Sequence, residues 1–300
     1  MSLPYVLTLV ANRKHGTLSN EAIDIARNLV KGEAPVTLSE GEAVDIPCPT
    51  PEAGAPTPET IRATLSPFKV DAILNKNRGR RKAVLISDMD STTFAGETLD
   101  ELAKRTGTGD KIADITNRAM NGEMDFATSL RERTIVLAGQ PESLLDEVLH
   151  VLDLSDGVRE LVQTMKANGA RTALISGGFD WFTARAAPLC GFDEHYGNDL
   201  EIKNGVITGQ LLGPILGPDE KKTHLERLCA ERGVKLQASI TTGDGANDIP
   251  MLSAAGMGIA YHAKPNVRKT IERQVNFCGM RAHLFAQGYP ASAIIGGEKN

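Results

Sequence analysis

Acidic, hydroxyl and lysine side chains that follow three apolar runs are the residues of this sequence best suited to chemistry. Asp88 and Asp90 come after the first run, Ser176 after the second and Asp244 after the third. Lys222 lies between the second and third runs, near the start of a helical pattern. One lysine, one hydroxyl and several carboxylates that converge would bind a phosphate beside a divalent cation. These residue types therefore indicate phosphoryl chemistry, provided that the fold brings them together.

The carboxylates are the strongest sign of a metal ion. Asp88, Asp90 and Asp244 crowded together would repel one another unless a cation neutralised them. Mg²⁺ fits, since it takes one or two carboxylates and leaves positions for a phosphate oxygen and for water. Taken singly, each motif has a plain structural explanation, because an Asp-x-Asp can cap a helix and Ser176-Gly177 can form a turn. The motifs together favour a metal and a phosphate.

Buried strands must carry these residues to one place. The apolar runs at 83–87, 172–175, 239–242 and 256–260 have the pattern of strands buried on both faces. Helical patterns lie between them, and strands that alternate with helices predict an α/β fold with a Rossmann-like parallel sheet and helices on both faces. Ligands of such sheets bind at the carboxyl ends of the strands, where the motif residues lie.

Two further segments depart from this alternation. Residues 98–150 are almost wholly helical in pattern, which predicts an inserted helical cap over about 95–155. Residues 1–80 combine a strand pattern, a helix pattern and five prolines between positions 47 and 58. They predict a small N-terminal α+β module, for which a regulatory role stays open, ahead of a core at 81–300.

Length, charge and cysteine content limit the kinds of binding partner and the cellular location that we expect. A length of 300 residues favours two domains, and 33 basic against 38 acidic residues give a net charge of -5, so we expect no nucleic-acid or membrane partner. The four cysteines are widely spaced and lack a zinc-ligand pattern, and no apolar run is long enough to cross a membrane. We therefore expect a cytoplasmic protein with reduced thiols.

Four motifs, in the order found here, resemble those of the haloacid dehalogenase-like hydrolases. They are Asp88-Met89-Asp90-Ser91-Thr92, Ser176-Gly177-Gly178, Lys222, and Gly243-Asp244-Gly245-Ala246-Asn247-Asp248. Glu97, the stretch from Phe126 to Arg133 and the run Ala263-Lys264-Pro265 make the chain similar to the phosphoserine-hydrolysing branch of that superfamily. The resemblance covers about residues 83–275 and implies the fold of that superfamily.

The resemblance also implies roles for the motif residues. Asp88 would be the nucleophile that forms an aspartyl-phosphate, and Asp90 would act as acid and base. Ser176, the Gly177 amide and Lys222 would hold the phosphoryl oxygens, with Asn247 near the phosphate. Asp88, Asp244 and the backbone carbonyl of Asp90 would bind Mg²⁺. Asp248 would contact these ligands without binding the metal itself.

The predicted cap would select the substrate. By resemblance, Glu97 binds an amino group, while Arg133 binds a carboxylate, with Arg131 as the weaker alternative. Met120 and Phe126 would line and close the pocket. The implied activity is Mg²⁺-dependent hydrolysis of O-phospho-L-serine, the last step of serine biosynthesis.

Three alternatives stay open at this point. One is a phosphatase or phosphotransferase for another small amino-alcohol phosphate, which would give Glu97 and Arg133 no joint partner. The others are a non-catalytic phosphate or amino-acid sensor and a receiver-like signalling domain, which need neither the full carboxylate set nor a cap. The expected partner is a small phosphomonoester, and a homodimer stays open.

Overall fold

Two β-sheets, one before residue 77 and one after residue 83, organise the chain. The computed structural model describes residues 3–120 and 123–297, except the side chain of Met120. In these ranges, no helix combines the length and the apolar character that crossing a membrane requires.

The first sheet is antiparallel, with strand order β2-β3-β1-β4. Thr57 caps its second helix by accepting the N–H of Thr60, and Pro58 takes the first turn, where a missing N–H costs no hydrogen bond. The βαββαβ order is ferredoxin-like. The elements are β1 (Tyr5–Ala11), α1 (Asn20–Leu29), β2 (Val36–Ser39), β3 (Ala43–Cys48), α2 (Pro58–Leu65) and β4 (Val70–Lys76).

The second sheet has strand order β11-β10-β9-β5-β6-β7-β8 and is parallel except for the β7–β8 hairpin. Asn204 and Gly205 close that hairpin with φ of 52° and 75°, as an Asn-Gly turn requires. The strands are β5 (Val84–Ser87), β6 (Arg171–Phe179), β7 (Glu194–Lys203), β8 (Val206–Leu212), β9 (Ser239–Gly243), β10 (Met257–Tyr261) and β11 (Arg273–Val275). The expected α/β class, with an additional α+β module, is confirmed.

Helices cover both faces of the second sheet because its apolar strand residues alternate between them. Leu85 packs into the core formed with α7, α8 and α12, whereas Val84 and Ile86 pack into the core formed with α9 and α10. These helices, with α11 at the sheet edge, are α7 (Val158–Ala167), α8 (Asp180–Cys190), α9 (Pro218–Glu231), α10 (Ile249–Ala254), α11 (Pro265–Thr270) and α12 (Arg281–Ala286).

A helical cap is inserted between β5 and β6. Its helices are α3 (Thr98–Thr106), α4 (Gly109–Met120), α5 (Phe126–Ile135) and α6 (Ser143–Val151). Two adjacent connections join the cap to the core, where the N–H of Ala95 donates to the carbonyl of Asp153 at 2.9 Å and Phe94 bridges Leu154. The cap therefore lies next to the carboxyl end of β5.

A buried carboxylate fixes the first sheet to the core. Asp71 of β4 is 2% exposed and accepts the three successive backbone N–H groups of residues 276–278, at 2.7 to 3.1 Å. A second polar contact is made by Arg281 at the start of α12, which donates to Glu42 at 2.8 Å and to Glu160 at 2.7 Å. The N-terminal strands are thus tied to the segment that follows β11.

We expect Asp71→Ala to lower the free energy of unfolding by about 2–4 kcal/mol, because three buried N–H groups lose their acceptor. Urea denaturation of the full chain measures the change. Asp24→Ala, an exposed position of α1, is the matched control and should stay within about 0.5 kcal/mol of the parent. Equal effects of the two substitutions would contradict the role of Asp71.

Candidate active site

Adjacent strand ends bring the acidic and hydroxyl residues together. Asp88 directly follows β5, Ser176 lies near the carboxyl end of β6, and Asp244 follows β9. Because β9, β5 and β6 are neighbours in the parallel sheet, these residues meet at one edge. After Asp88 the chain turns sharply, with Ser91 in the left-handed region at φ 52°.

Lys221, and not the predicted Lys222, lies at the acidic residues. The Nζ of Lys221 is 2.6 Å from Oδ1 of Asp88 and 2.6 Å from Oδ1 of Asp248, and the side chain is 1% exposed. Lys222 lies on the outer face of α9, 46% exposed and 3.8 Å from Glu226. The prediction of Lys222 as a phosphate ligand is therefore wrong.

Helix phase explains the correction. Successive residues of an α-helix point about 100° apart, so only one of two adjacent lysines can face the sheet. Lys221, Leu225 and Leu228 are the buried stripe of α9, at i, i+4 and i+7. This apolar spacing was available in the sequence and identifies Lys221 as the inward residue.

Asp88, Asp244 and Asp248 form the acidic cluster, with one carboxylate oxygen of each within 4.8 Å of the others. Asp248 uses both oxygens, accepting from Lys221 and from the N–H of Gly245 at 3.0 Å. Asp88 engages Lys221 through Oδ1. Asp88 and Asp244 line a cavity above the cluster, whereas Asp248 is fully buried, so Asp88 and Asp244 are the carboxylates accessible to a divalent metal ion.

Burial of these charges perturbs their titration. Burial and the nearby Asp248 carboxylate raise the pKa of Asp88 well above its usual range, while Lys221 opposes the rise. Burial also raises the pKa of Asp244 to about 6, against the opposing charge of Lys264. Burial acts to lower the pKa of Lys221, yet the charges of Asp248 and Asp88 raise it overall. Excess negative charge thus remains in the cluster, which a bound cation would relieve.

Asp90 has a different environment from Asp88. Its Oδ1 accepts the N–H of Thr98 at the start of α3, at 2.7 Å, and its Oδ2 lies 3.4 Å from the Ser176 hydroxyl. Burial, followed by the charge of Glu97, raises the pKa of Asp90 to about 6. A carboxyl group with a pKa near neutrality can both donate and accept a proton.

Core and cap enclose a cavity of about 270 Å³ above these residues. The core contributes Asp88, Asp90, Ser176, Gly177, Gly178, Asp244, Asn247 and Lys264, and the cap contributes Glu97, Leu99, Asp100, Thr116, Phe126 and Arg133. The cavity therefore collects the expected side chains of both parts except Lys222 and Met120, the latter lying outside the described side chains. Asp248 is fully buried and does not line the cavity.

Glycine at position 177 lets the cap approach the core closely. A Cβ added to Gly177 would lie 2.9 Å from the Phe126 ring. Phe126 begins α5, whose N-cap Asp125 accepts the N–H of Thr128 at 2.7 Å. The ring therefore rests against the Gly177 backbone and closes one side of the cavity.

Glu97 and Arg133 supply one anion and one planar cation to the cap side of the cavity. Glu97 accepts the Ser91 hydroxyl at 2.8 Å, and Arg133 donates through Nε to the carbonyl of Ser129 at 3.3 Å. Among the described residues, the two terminal nitrogens of Arg133 have no hydrogen-bond partner. Burial lowers the pKa of Arg133 without removing its charge. A carboxylate would satisfy this free guanidinium.

Asp100, Thr116 and Lys264 also line the cavity, although the sequence motifs did not single them out as site residues. Asp100 follows Glu97 by three positions, a spacing that puts both on one face of α3 and could have indicated it. Lys264 follows β10 and belongs to the run Ala263-Lys264-Pro265 that carries part of the resemblance, but the sequence analysis predicted no site role for it.

Residues 85–253 match the family model of the haloacid dehalogenase-like hydrolases. The phosphoserine phosphatase of Streptococcus thermophilus is 41% identical over 194 residues, which cover 65% of this chain and 90% of the relative. That of Archaeoglobus fulgidus is 39% identical over 197 residues, 66% of this chain and 57% of the relative. The chain thus spans less than two thirds of the length of some curated relatives that it matches.

A solved structure of a HAD family hydrolase from Salmonella enterica serovar Typhi is similar to nearly the whole chain. The two share 31% identity with a TM-score of 0.82, over 94% of this chain and 98% of the other. The likeness therefore includes the N-terminal sheet as well as the core and cap.

Lys221→Met should lower the free energy of unfolding by about 3–5 kcal/mol, because it leaves buried carboxylates without their cation. Lys222→Met removes the same charge from the neighbouring, exposed position and should change stability by less than about 0.5 kcal/mol. Urea denaturation in metal-free buffer compares the two. A larger loss for Lys222→Met would contradict the assignment of Lys221.

Proposed function

Because the chain belongs to the haloacid dehalogenase-like hydrolase family, we propose that it hydrolyses O-phospho-L-serine to L-serine and phosphate through an aspartyl-phosphate on Asp88. The observation that carries this proposal is the composition of one cavity. Its core side presents the acidic residues above Lys221, and its cap side presents Glu97 and the free guanidinium of Arg133. Phosphoserine offers a phosphate, an ammonium and a carboxylate, and each has a counterpart in this arrangement.

Asp88 is the proposed nucleophile. Lys221, 2.6 Å from Oδ1, holds the carboxylate in place and opposes the rise in its pKa that burial causes. An oxygen of Asp88 forms a bond to phosphorus as the bond from phosphorus to the serine oxygen breaks. The Ser176 hydroxyl, the Gly177 amide and Lys221 are the groups proposed to hold the phosphoryl oxygens, with Asn247 beside them.

Asp90 moves the protons. It gives its proton to the departing serine oxygen, then takes a proton from the water that attacks the aspartyl-phosphate, which restores Asp88. Burial raises the pKa of Asp90 to about 6, which favours proton transfer in both directions near neutral pH. The hydrogen bond from Thr98 fixes Oδ1, so that Oδ2 faces the Ser176 side of the cavity.

Mg²⁺ is the proposed metal, since the available donors are carboxylate oxygens and no sulfur or imidazole ligand joins the cluster among the described residues. Asp88 and Asp244 would hold it, with the carbonyl of Asp90 as a third expected ligand. When bound, it would neutralise negative charge near the phosphoryl group.

Glu97 and Arg133 are proposed to select the amino acid. Glu97, oriented by the Ser91 hydroxyl, would bind the substrate ammonium, and Arg133 would bind the carboxylate through its two terminal nitrogens. A substrate without a carboxylate leaves the Arg133 charge buried and unpaired, which disfavours simple amino-alcohol phosphates.

The reaction would complete serine biosynthesis. A cytoplasmic location fits the four unpaired, buried cysteines.

A panel of small phosphomonoesters, assayed for phosphate release with Mg²⁺, tests the reaction and its selectivity together. We expect the highest kcat/KM for O-phospho-L-serine, no turnover after complete chelation, and recovery on adding Mg²⁺. Asp88→Asn is the matched blank, with at least about a thousandfold loss expected because the amide is not nucleophilic. Preference for a phosphate that lacks the ammonium or the carboxylate would refute the proposed substrate.

Arg133→Met should lower kcat/KM for phosphoserine about 100-fold, because the substrate carboxylate loses its charged partner. Hydrolysis of p-nitrophenyl phosphate, which has no such carboxylate, should change by less than about threefold. Arg131→Met changes an exposed arginine of the same helix and serves as the control. Equal losses on both substrates would remove the carboxylate role from Arg133.

A further inference from the structure

Lys264 connects the two ends of the cavity. Its Nζ lies 3.4 Å from Oδ2 of Asp244 in the core and 3.6 Å from Oε1 of Glu97 in the cap. Its backbone N–H donates to the carbonyl of Asp244 at 3.0 Å, which anchors the base of the side chain beside the metal-ligand candidate. The Lys264 side chain is 60% exposed, so the ammonium can shift between its two partners without leaving water.

Lys264 is one of few cations in a cavity whose charged lining residues are mainly carboxylates. The lining carries five carboxylates, whereas Arg133 and Lys264 are its cations. Lys221 pairs with both Asp88 and Asp248 from below. Among the described residues, Lys264 is the cation paired with Asp244.

A divalent cation held by Asp88 and Asp244 would lie close to this ammonium and repel it. Glu97 offers Lys264 a second partner a short distance away, and the Ser91 hydroxyl keeps Glu97 in position. The flexible stem of a lysine allows such a shift without moving the backbone.

We propose that, in the substrate-free protein, Lys264 neutralises Asp244 while the metal is absent and gives up Asp244 for Glu97 when the metal binds. Lys264 therefore weakens metal binding and stabilises the metal-free site. This inference rests on the metal site of the proposed function, and it concerns the affinity of that site, not the reaction.

Isothermal titration of Mg²⁺ into the metal-free full-length protein tests the proposal. Lys264→Met should bind Mg²⁺ at least about fivefold more tightly, because a competing cation has been removed. Lys264→Arg keeps the charge and should stay within about threefold of the parent. Lys222→Met removes an equal charge outside the cavity and should bind as the parent does.

Thermal unfolding without metal supplies a second readout. Lys264→Met should melt about 2–4 °C below Lys222→Met, since Asp244 loses its counter-charge, and Mg²⁺ should raise its melting temperature by more than that of the parent. Lys264→Gln repeats both measurements if the methionine variant does not fold.

Unchanged or weaker Mg²⁺ binding by Lys264→Met would overturn the inference, and so would the absence of Mg²⁺ binding by the parent protein. Phosphoserine hydrolysis by the parent is measured separately. If the parent hydrolyses phosphoserine but Lys264→Met binds Mg²⁺ as the parent does, the inference fails and the proposed function stands. If the parent binds Mg²⁺ but leaves phosphoserine intact, the proposed function fails, while the titration still decides the role of Lys264.

Discussion

The contact of one buried lysine with two buried aspartates is the constraint on which the site depends. Carboxylates that are nearly removed from water cannot stay ionised beside one another without a cation, and Lys221 supplies it at 2.6 Å from both Asp88 and Asp248. The requirement fixes the phase of α9, since Lys221 must point at the sheet together with Leu225 and Leu228. Lys221 does not pair with Asp244, which therefore depends on a different cation. Lys264 is that cation in this structure, and the proposed metal ion would compete with it.

In the proposed function, chemistry and recognition come from different parts of the chain. The sheet edge carries the acidic residues on short loops after rigid strands, which hold them in fixed positions. The cap carries Glu97 just before α3 and Arg133 on α5, and it is joined to the core by two adjacent connections, at 93–95 and 153–155. Close packing of Phe126 against Gly177 brings the two parts together. Selectivity in this arrangement can change through the cap while the reacting edge stays the same.

The N-terminal sheet is fastened to the core by buried polar contacts as well as by apolar packing. Asp71 accepts three successive amides, and Val10, Ala43 and Ile73 belong to the same apolar cluster as the helices of the core. A tethered module would have an interface that is small or readily hydrated. The contacts seen here make these strands part of the support for the segment that includes β11 and α12.

The sequence by itself determined the elements and most of the residues proposed to react. Alternating apolar runs and helical patterns indicate the parallel sheet and the cap, because strand burial and helix periodicity are local properties of the chain. Asp88, Asp90, Ser176 and Asp244 follow from their places after those runs. Tertiary structure decided which of two adjacent lysines faces the cluster, that Lys264 joins Asp244 to Glu97, and that Asp71 receives the amides of residues 276–278. Each of these depends on the orientation of one element against another distant in sequence, which no local pattern specifies.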